Sequence, residues 1–207
     1  MRIGVVADTH VPDLLRALPD EVCDALAGAD LILHAGDVTA PAVLDRLRAI
    51  APVAAVRGNH DRGRQGRALP RDLVVRAGGL RIGLTHGHRP APAELAAGVG
   101  SLVAGRPPLG SFARAARRRF GDVDVVVVGH LHVRVHEVVE GALVFSPGAV
   151  YVAEHDPAFD WSTPKGRLYR RHRSGLPAEA IVPAVGVIEP GPAGPVARTI
   201  PLRRPRG

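Results

Sequence analysis

Five short polar blocks each follow an apolar run: Asp8-Thr9-His10, Gly36-Asp37, Gly58-Asn59-His60-Asp61, Thr85-His86-Gly87-His88 and Gly129-His130-Leu131-His132. Carboxylates, imidazoles and one amide together form a donor set suited to divalent metals such as Mn, Fe(II) or Zn. Seven of the eight residues Asp8, His10, Asp37, Asn59, His60, His86, His130 and His132 could supply ligands to two ions, provided one carboxylate bridges them. Each block alone is a weak signal, because Gly-Asp and Gly-Asn are ordinary turn pairs. Gly-His-Leu-His is more specific, since alternate residues leaving a buried strand can face the same way. Their common placement at the ends of apolar runs argues for one site rather than five unrelated turns.

The elements that must position these residues follow from the pattern between them. Residues 3–7, 31–33 and 53–56 read as buried strands. Between them, Pro19-Asp20-Glu21 opens one helix that closes near Gly28, and Pro41 sits in the first turn of another reaching Ile50. That alternation predicts parallel pairing through helical crossovers, with ligands at the carboxyl ends of the strands. Residues 73–76 and 81–84 read as a hairpin around Gly78-Gly79, and 123–128 as the most apolar strand. Residues 133–139 and 142–145 form a further hairpin, and 185–189 with 196–201 a closing one. Residues 111–120 read as a helix capped by Ser111, and 89–110 as a loop or weak helix. The stretch 151–177 is polar, basic and aperiodic, the pattern of a surface excursion. The expected organisation is a single domain over 1–202, with basic insertions at about 89–122 and 151–177, and a short basic tail at 203–207.

Composition bounds the function classes. With 46% hydrophobic and 23% charged residues, the 207-residue chain is neither mostly disordered nor a coiled coil. No apolar run approaches the roughly 20 residues of a membrane span. The start, MRIGVVADTH, lacks the features of a secretory leader, so a cytoplasmic protein is expected. The single cysteine, Cys23, excludes an internal disulfide and a cysteine-built metal site. The net charge of +7 is uneven: residues 89–122 carry +4, 123–160 carry −5 and 161–207 carry +7. Basic segments attract phosphate-bearing partners. With aromatics at 3%, there is little to stack bases, which disfavours single-stranded nucleic acid as the partner.

In order, these blocks resemble the calcineurin-like metallophosphoesterase superfamily, and the short chain is similar to its small bacterial and archaeal phosphodiesterase branch, which also contains Vps29. The resemblance implies an α/β fold: a four-layer α/β/β/α sandwich of two mixed sheets, with the metal site at strand C-terminal ends. It implies two divalent metal ions (Mn, Ni, Fe or Zn). Asp8, His10, Asp37 and His132 would hold one, Asp37, Asn59, His86 and His130 the other, and Asp37 would bridge. His60 would act near the leaving group as general acid, with Asp61 beside it to orient the imidazole. His86 is chosen over His88 because it comes first off its strand. His34 is expected to be packed or to support a ligand, and His136, His155 and His172 to be ordinary surface or core residues. Two ions roughly 3.5–4 Å apart would offset phosphate charge and lower the pKa of a bridging water.

One departure from the family pattern is Ser146-Pro147-Gly148-Ala149, where small members often carry Asn-Pro-Gly-Ser. The resemblance implies a hydrolase of small phosphoester substrates, with diesters favoured by branch. A homodimer is open. The alternatives are a non-catalytic Vps29-like protein-binding scaffold and a nuclease. Retention of His60 together with the ligands favours the enzyme.

Overall fold

The computed structural model describes residues 1–202, apart from the side chains of Gln65 and Lys165; the expected basic tail at 203–207 lies outside the described residues. In chain order, β1 (Ile3–Val6), α1 (Asp20–Leu26), β2 (Leu31–His34), α2 (Pro41–Arg48) and β3 (Val53–Ala55) give the expected strand–helix alternation. The short α3 (Gly63–Ala68) leads to the hairpin β4 (Asp72–Ala77) and β5 (Leu80–Thr85). Helices α4 (Ala91–Ala104) and α5 (Leu109–Arg117) precede β6 (Val125–Val127), and β7 (Arg134–Val139) turns back into β8 (Ala142–Pro147). Helix α6 (Pro164–Arg173) precedes the closing hairpin of β9 (Ala184–Gly191) and β10 (Gly194–Pro201).

The strands form two five-stranded mixed sheets, in the orders β10-β9-β1-β2-β3 and β4-β5-β6-β8-β7. β1, β2 and β3 are parallel, and β9 closes antiparallel onto β1. β5, β6 and β8 are likewise parallel, with the antiparallel β4 and β7 at the edges. Strand alternation sends side chains into different layers. Ile3, Val5 and Leu33 meet Ile82, Leu84, Val125, Val127 and Phe145 between the sheets. Val6 and Ile32, on the opposite faces, lie under Val22, Leu26, Val43 and Leu47 of α1 and α2. Val126 and Val144 lie under Phe112, Ala113 and Ala116 of α5. The result is helix, sheet, sheet, helix. Strands covered on both faces must be continuously apolar, which is why these runs show no polar alternation.

Three helical regions differ from the sequence expectation. Helix α4 forms over 14 residues where a loop or weak helix is predicted, with Pro92 in its first turn and Gly105 ending it at φ +66°. Helix α5 begins at Leu109 and has no side-chain cap: the Ser111 hydroxyl lies inside the first turn and donates to the Pro108 carbonyl at 3.1 Å. The stretch 151–177 holds a buried Tyr151–Ala153 segment and α6, whose Thr163 hydroxyl accepts from the Gly166 N–H at 3.0 Å. That helix has no apolar stripe, so periodicity misses it. Its Thr163-Pro164 start is the available signal.

Phe145 is fully buried between the two sheets. Phe145→Ala should therefore cost about 3–5 kcal/mol, read as a lower urea midpoint at unchanged slope.

Candidate metal centre

The carboxyl ends of β1, β2, β5 and β6, and the loop after β3, converge on one edge of the sandwich. Asp8 and Asp37 are buried there, at 0% and 2% exposure. The two carboxylates tie loops together as well as facing the cluster. Asp8 accepts from the backbone N–H of His130, and Asp37 Oδ1 from that of His60 at 2.8 Å. Two of these loops approach others closely where their glycines lie. A Cβ on Gly129 would sit 2.7 Å from the Ala35 carbonyl and 2.9 Å from Asp8 Oδ2, and a Cβ on Gly58 would overlap the Asp37 carboxylate. Backbone φ is positive at Asp8, His10, Asp37, Thr39, His130 and His132, between +49° and +76°. Non-glycine residues rarely adopt this region, and they cluster at sites whose surroundings over-determine them.

The imidazoles point their nitrogens at the two carboxylates. His10 Nε2 lies 3.0 Å from His132 Nε2, 3.6 Å from Asp37 Oδ2 and 4.0 Å from Asp8 Oδ1. His132 Nε2 lies 3.5 Å from Asp8 Oδ1. On the other side of Asp37, His86 Nε2 is 3.3 Å from Asp37 Oδ2 and 3.0 Å from Asn59 Oδ1. His130 Nδ1 is 3.1 Å from the same Asn59 oxygen. Asp37 Oδ2 thus lies between two groups of donors. Asp8, His10 and His132 form one cluster that could hold a cation, and Asp8, Asp37 and His86 another. His86 Nδ1 is 2.8 Å from the Ala35 carbonyl, so Nδ1–H donates there and Nε2 faces the cluster. His88 packs its ring 5.5 Å from that of His86; His86 is the one that reaches Asp37.

This donor set fits divalent cations. Two buried carboxylates, an amide oxygen and the Nε2 atoms of His10, His86 and His132 face one another. Burial is the largest influence on His10, and with the neighbouring His132 it holds the ring down to about 4. His34 is fully buried, shares Thr9 Oγ1 at 3.2 Å, and is likewise held at about 4 by burial. Burial opposes charge on His86 too, but the hydrogen bond to Asp37 and the fields of Asp8 and Asp37 prevail and push it up to about 9. Both carboxylates titrate below their ordinary range, because the surrounding imidazoles outweigh burial.

His60 is exposed at the rim, its ring 5.1 Å from that of His10. Asp61 differs from expectation. Its Oδ2 accepts from the N–H of Asp37 at 2.9 Å and of Gly58 at 2.7 Å, and its Oδ1 from the N–H of Thr39 at 2.8 Å. Both oxygens are thus committed to backbone, so Asp61 fixes loops rather than the His60 ring. His136 is exposed, and His155 and His172 lie outside the cluster, half-buried. The sequence reading misses Glu94, 3.2 Å from His130 Nε2, and Arg173, which holds the carbonyls of Leu131 and His132. Nothing in their local sequence distinguishes them from other surface charges.

Residues 1–161 match the calcineurin-like phosphoesterase superfamily domain. The chain belongs to this superfamily. A probable metallophosphoesterase of Methanocaldococcus jannaschii is 34% identical over 149 residues, 72% of this chain and 68% of that protein. A probable metallophosphoesterase of Methanothermobacter thermautotrophicus is 46% identical over 87 residues, 42% of this chain; the match spans half the length of that relative, 50%. Among solved structures, zinc-bound Vps29 from Entamoeba histolytica aligns with TM-score 0.61 at 21% identity, over 98% of this chain and 100% of that one. A novel archaeal phosphodiesterase aligns with TM-score 0.56 at 20% identity, over 97% and 100%. At such identities the likeness is one of fold: the two mixed sheets flanked by helices are those of calcineurin-like proteins. Members of the superfamily use divalent metals, and the cluster described above supplies candidate ligands.

Two outcomes follow. Asp61→Ala should strand three backbone donors, at about 1–3 kcal/mol for each buried one, lowering both the melting temperature and metal uptake. In chelator-treated protein, pH acts with two signs. His10 and His34 are held near 4, so the unfolded chain gains protons first and stability falls as pH drops from 6.5 toward 4. His86 is held near 9, so its contribution is complete below 6.5 and is lost as pH rises through 9. The melting temperature of the metal-free protein should peak near pH 6.5, as read by calorimetry.

Proposed function

We propose that this superfamily member hydrolyses phosphoester bonds, with phosphodiesters as the preferred class, using two divalent ions drawn from Mn, Ni, Fe or Zn. The observation that carries this reading is Asp37 Oδ2 lying 3.6 Å from His10 Nε2 and 3.3 Å from His86 Nε2, between two donor groups. Asp8, His10, Asp37 and His132 would hold one ion, and Asp37, Asn59, His86 and His130 the other. When bound, two such ions supply positive charge to the phosphoryl oxygens and make a nucleophile from water near neutral pH.

The remaining roles belong to the chain. Asn59 gives a neutral oxygen, which limits the negative charge that a phosphate anion must approach. His60 is the general acid for the leaving oxygen: it stands at the open rim, near the cluster but outside both donor groups. Asp61 sets the spacing between the Asp37 loop and the Asn59–His60 loop through its three backbone bonds. The open groove beside His60 is lined by Arg62 and Asp13, so Arg62 would contact an anionic substrate there against the opposing charge of Asp13. A small soluble phosphoester is the proposed substrate class, nucleic acid the less favoured one, and the cytoplasm the proposed location; among the described residues no helix is long and apolar enough to cross a membrane. The second reading is a protein-binding scaffold. It is supported by the Vps29 fold likeness and by an exposed apolar stripe of Leu95, Val99 and Val103 on α4.

The test is hydrolysis of an aryl phosphodiester and its monoester by metal-stripped protein, with Mn, Ni, Zn and Mg restored singly. His60→Ala should lower turnover about 10²–10⁴-fold with metal content retained. Asp37→Ala should abolish turnover and sharply reduce metal content, because the carboxylate shared by both sites is gone. Two ions bound with no turnover on either ester would favour the scaffold.

A further inference from the structure

The two basic segments meet over the Gly129-His130-Leu131-His132 loop. Arg173, the last residue of α6, is 4% exposed. Its guanidinium donates from Nη1 to the Leu131 carbonyl at 3.0 Å, from Nη2 to the His132 carbonyl at 3.1 Å, and from Nε to Glu154 at 2.7 Å. The ring of Tyr169 lies 5.0 Å from its charge centre. A buried charge is tolerated only when well paired, and this one directs two of its donors to consecutive carbonyls of a strained loop. A planar fork suits that geometry and an ammonium does not. From the other segment, α4 places the Glu94 carboxylate 3.2 Å from His130 Nε2, with the Arg89 N–H on the same oxygen at 2.6 Å. That contact commits Nε2 and leaves Nδ1 facing Asn59 Oδ1 at 3.1 Å. The two helices are themselves tied: Arg171 Nε donates to the Leu102 carbonyl at 3.1 Å, and Gly175 N–H to the Gly105 carbonyl at 2.7 Å.

We propose that α4 and α6 form one clamp on the His130–His132 loop, with Glu94 and Arg173 as positioning residues acting on different ions. This rests on His130 and His132 being ligands, as in the proposed function. Glu94 fixes the ring of His130, and so the site shared with Asn59 and His86. Arg173 fixes the backbone of His132, and so the site shared with Asp8 and His10. Carboxylate partners of ligating imidazoles typically change metal affinity by about 10–100-fold.

The experiment titrates Co²⁺ into chelator-stripped full-length protein, following heat and the visible absorption of bound cobalt, with circular dichroism to verify folding. Glu94→Ala should weaken one of two sites about 10–100-fold, alter its absorption and leave the other unchanged; Glu94→Gln, which keeps an acceptor, should recover most of the loss. Arg173→Lys should weaken the other site while preserving charge. If Arg173→Lys does not fold, the Glu94 pair decides. Folded variants that bind both ions with wild-type affinity and spectrum overturn the clamp, as do variants that lose only thermal stability. A wild-type chain that binds no cobalt overturns the metal reading itself and the clamp with it, an outcome separable from wild-type binding with unaffected variants.

Discussion

The carboxylate of Asp61 accepts three backbone N–H groups, from Asp37, Thr39 and Gly58. Through it, the loop that leaves β2 is pinned to the loop that leaves β3. Asp37 then accepts the His60 N–H, so the two loops are stitched in both directions. This matters because Asp8 and Asp37 are both buried close to one another, and like charges at that depth repel. Side-chain attraction alone does not hold such a cluster together. A frame of hydrogen-bonded backbone does, and the His86 imidazole beside Asp37 offsets part of the charge.

The same backbone device recurs in three loops. Asp8 and His10, Asp37 and Thr39, and His130 and His132 are pairs two residues apart, and every member has positive φ. Asp and His, unlike the β-branched Thr39, tolerate this region better than most residues, so at the other five positions the residue types that suit a cation also suit the turn. The strain is offset by the sandwich beneath. The strands feeding these loops carry fully buried residues at or next to their ends, Val6, Leu33 and Val127, which leave little freedom at the point where each loop begins.

The two segments that stand out from sequence by their positive charge have different structural uses within one helix. On α6, Arg167, Arg170 and Arg171 are at the surface or partly so, whereas Arg173 is buried against the His130–His132 loop. On α4, Glu94 turns inward while Leu95, Val99 and Val103 face outward. The pair forms a wall beside the centre, so positive charge is not the only structural property of these segments.

Much of the architecture was legible in the residues. Continuous apolar runs at 3–7, 31–33 and 123–128 required strands buried on both faces, and the helices after the first two required parallel crossovers. That placed Asp8, His10, Asp37, Asn59, His60, His86, His130 and His132 near one edge, and the structure brings them there. The sequence by itself thus determined the α/β class, the order of the strands and which residue types meet, because strand and helix periods are local and the ends of parallel strands lie together. Tertiary structure alone decided the partners of individual atoms. Asp61 turned to backbone instead of His60, α6 formed without an apolar stripe, and Arg173 and Glu94 reached the His130–His132 loop from 41 and 36 positions away in the chain. Their geometry depends on how two helices dock across the sandwich, and no local pattern encodes a contact of that length.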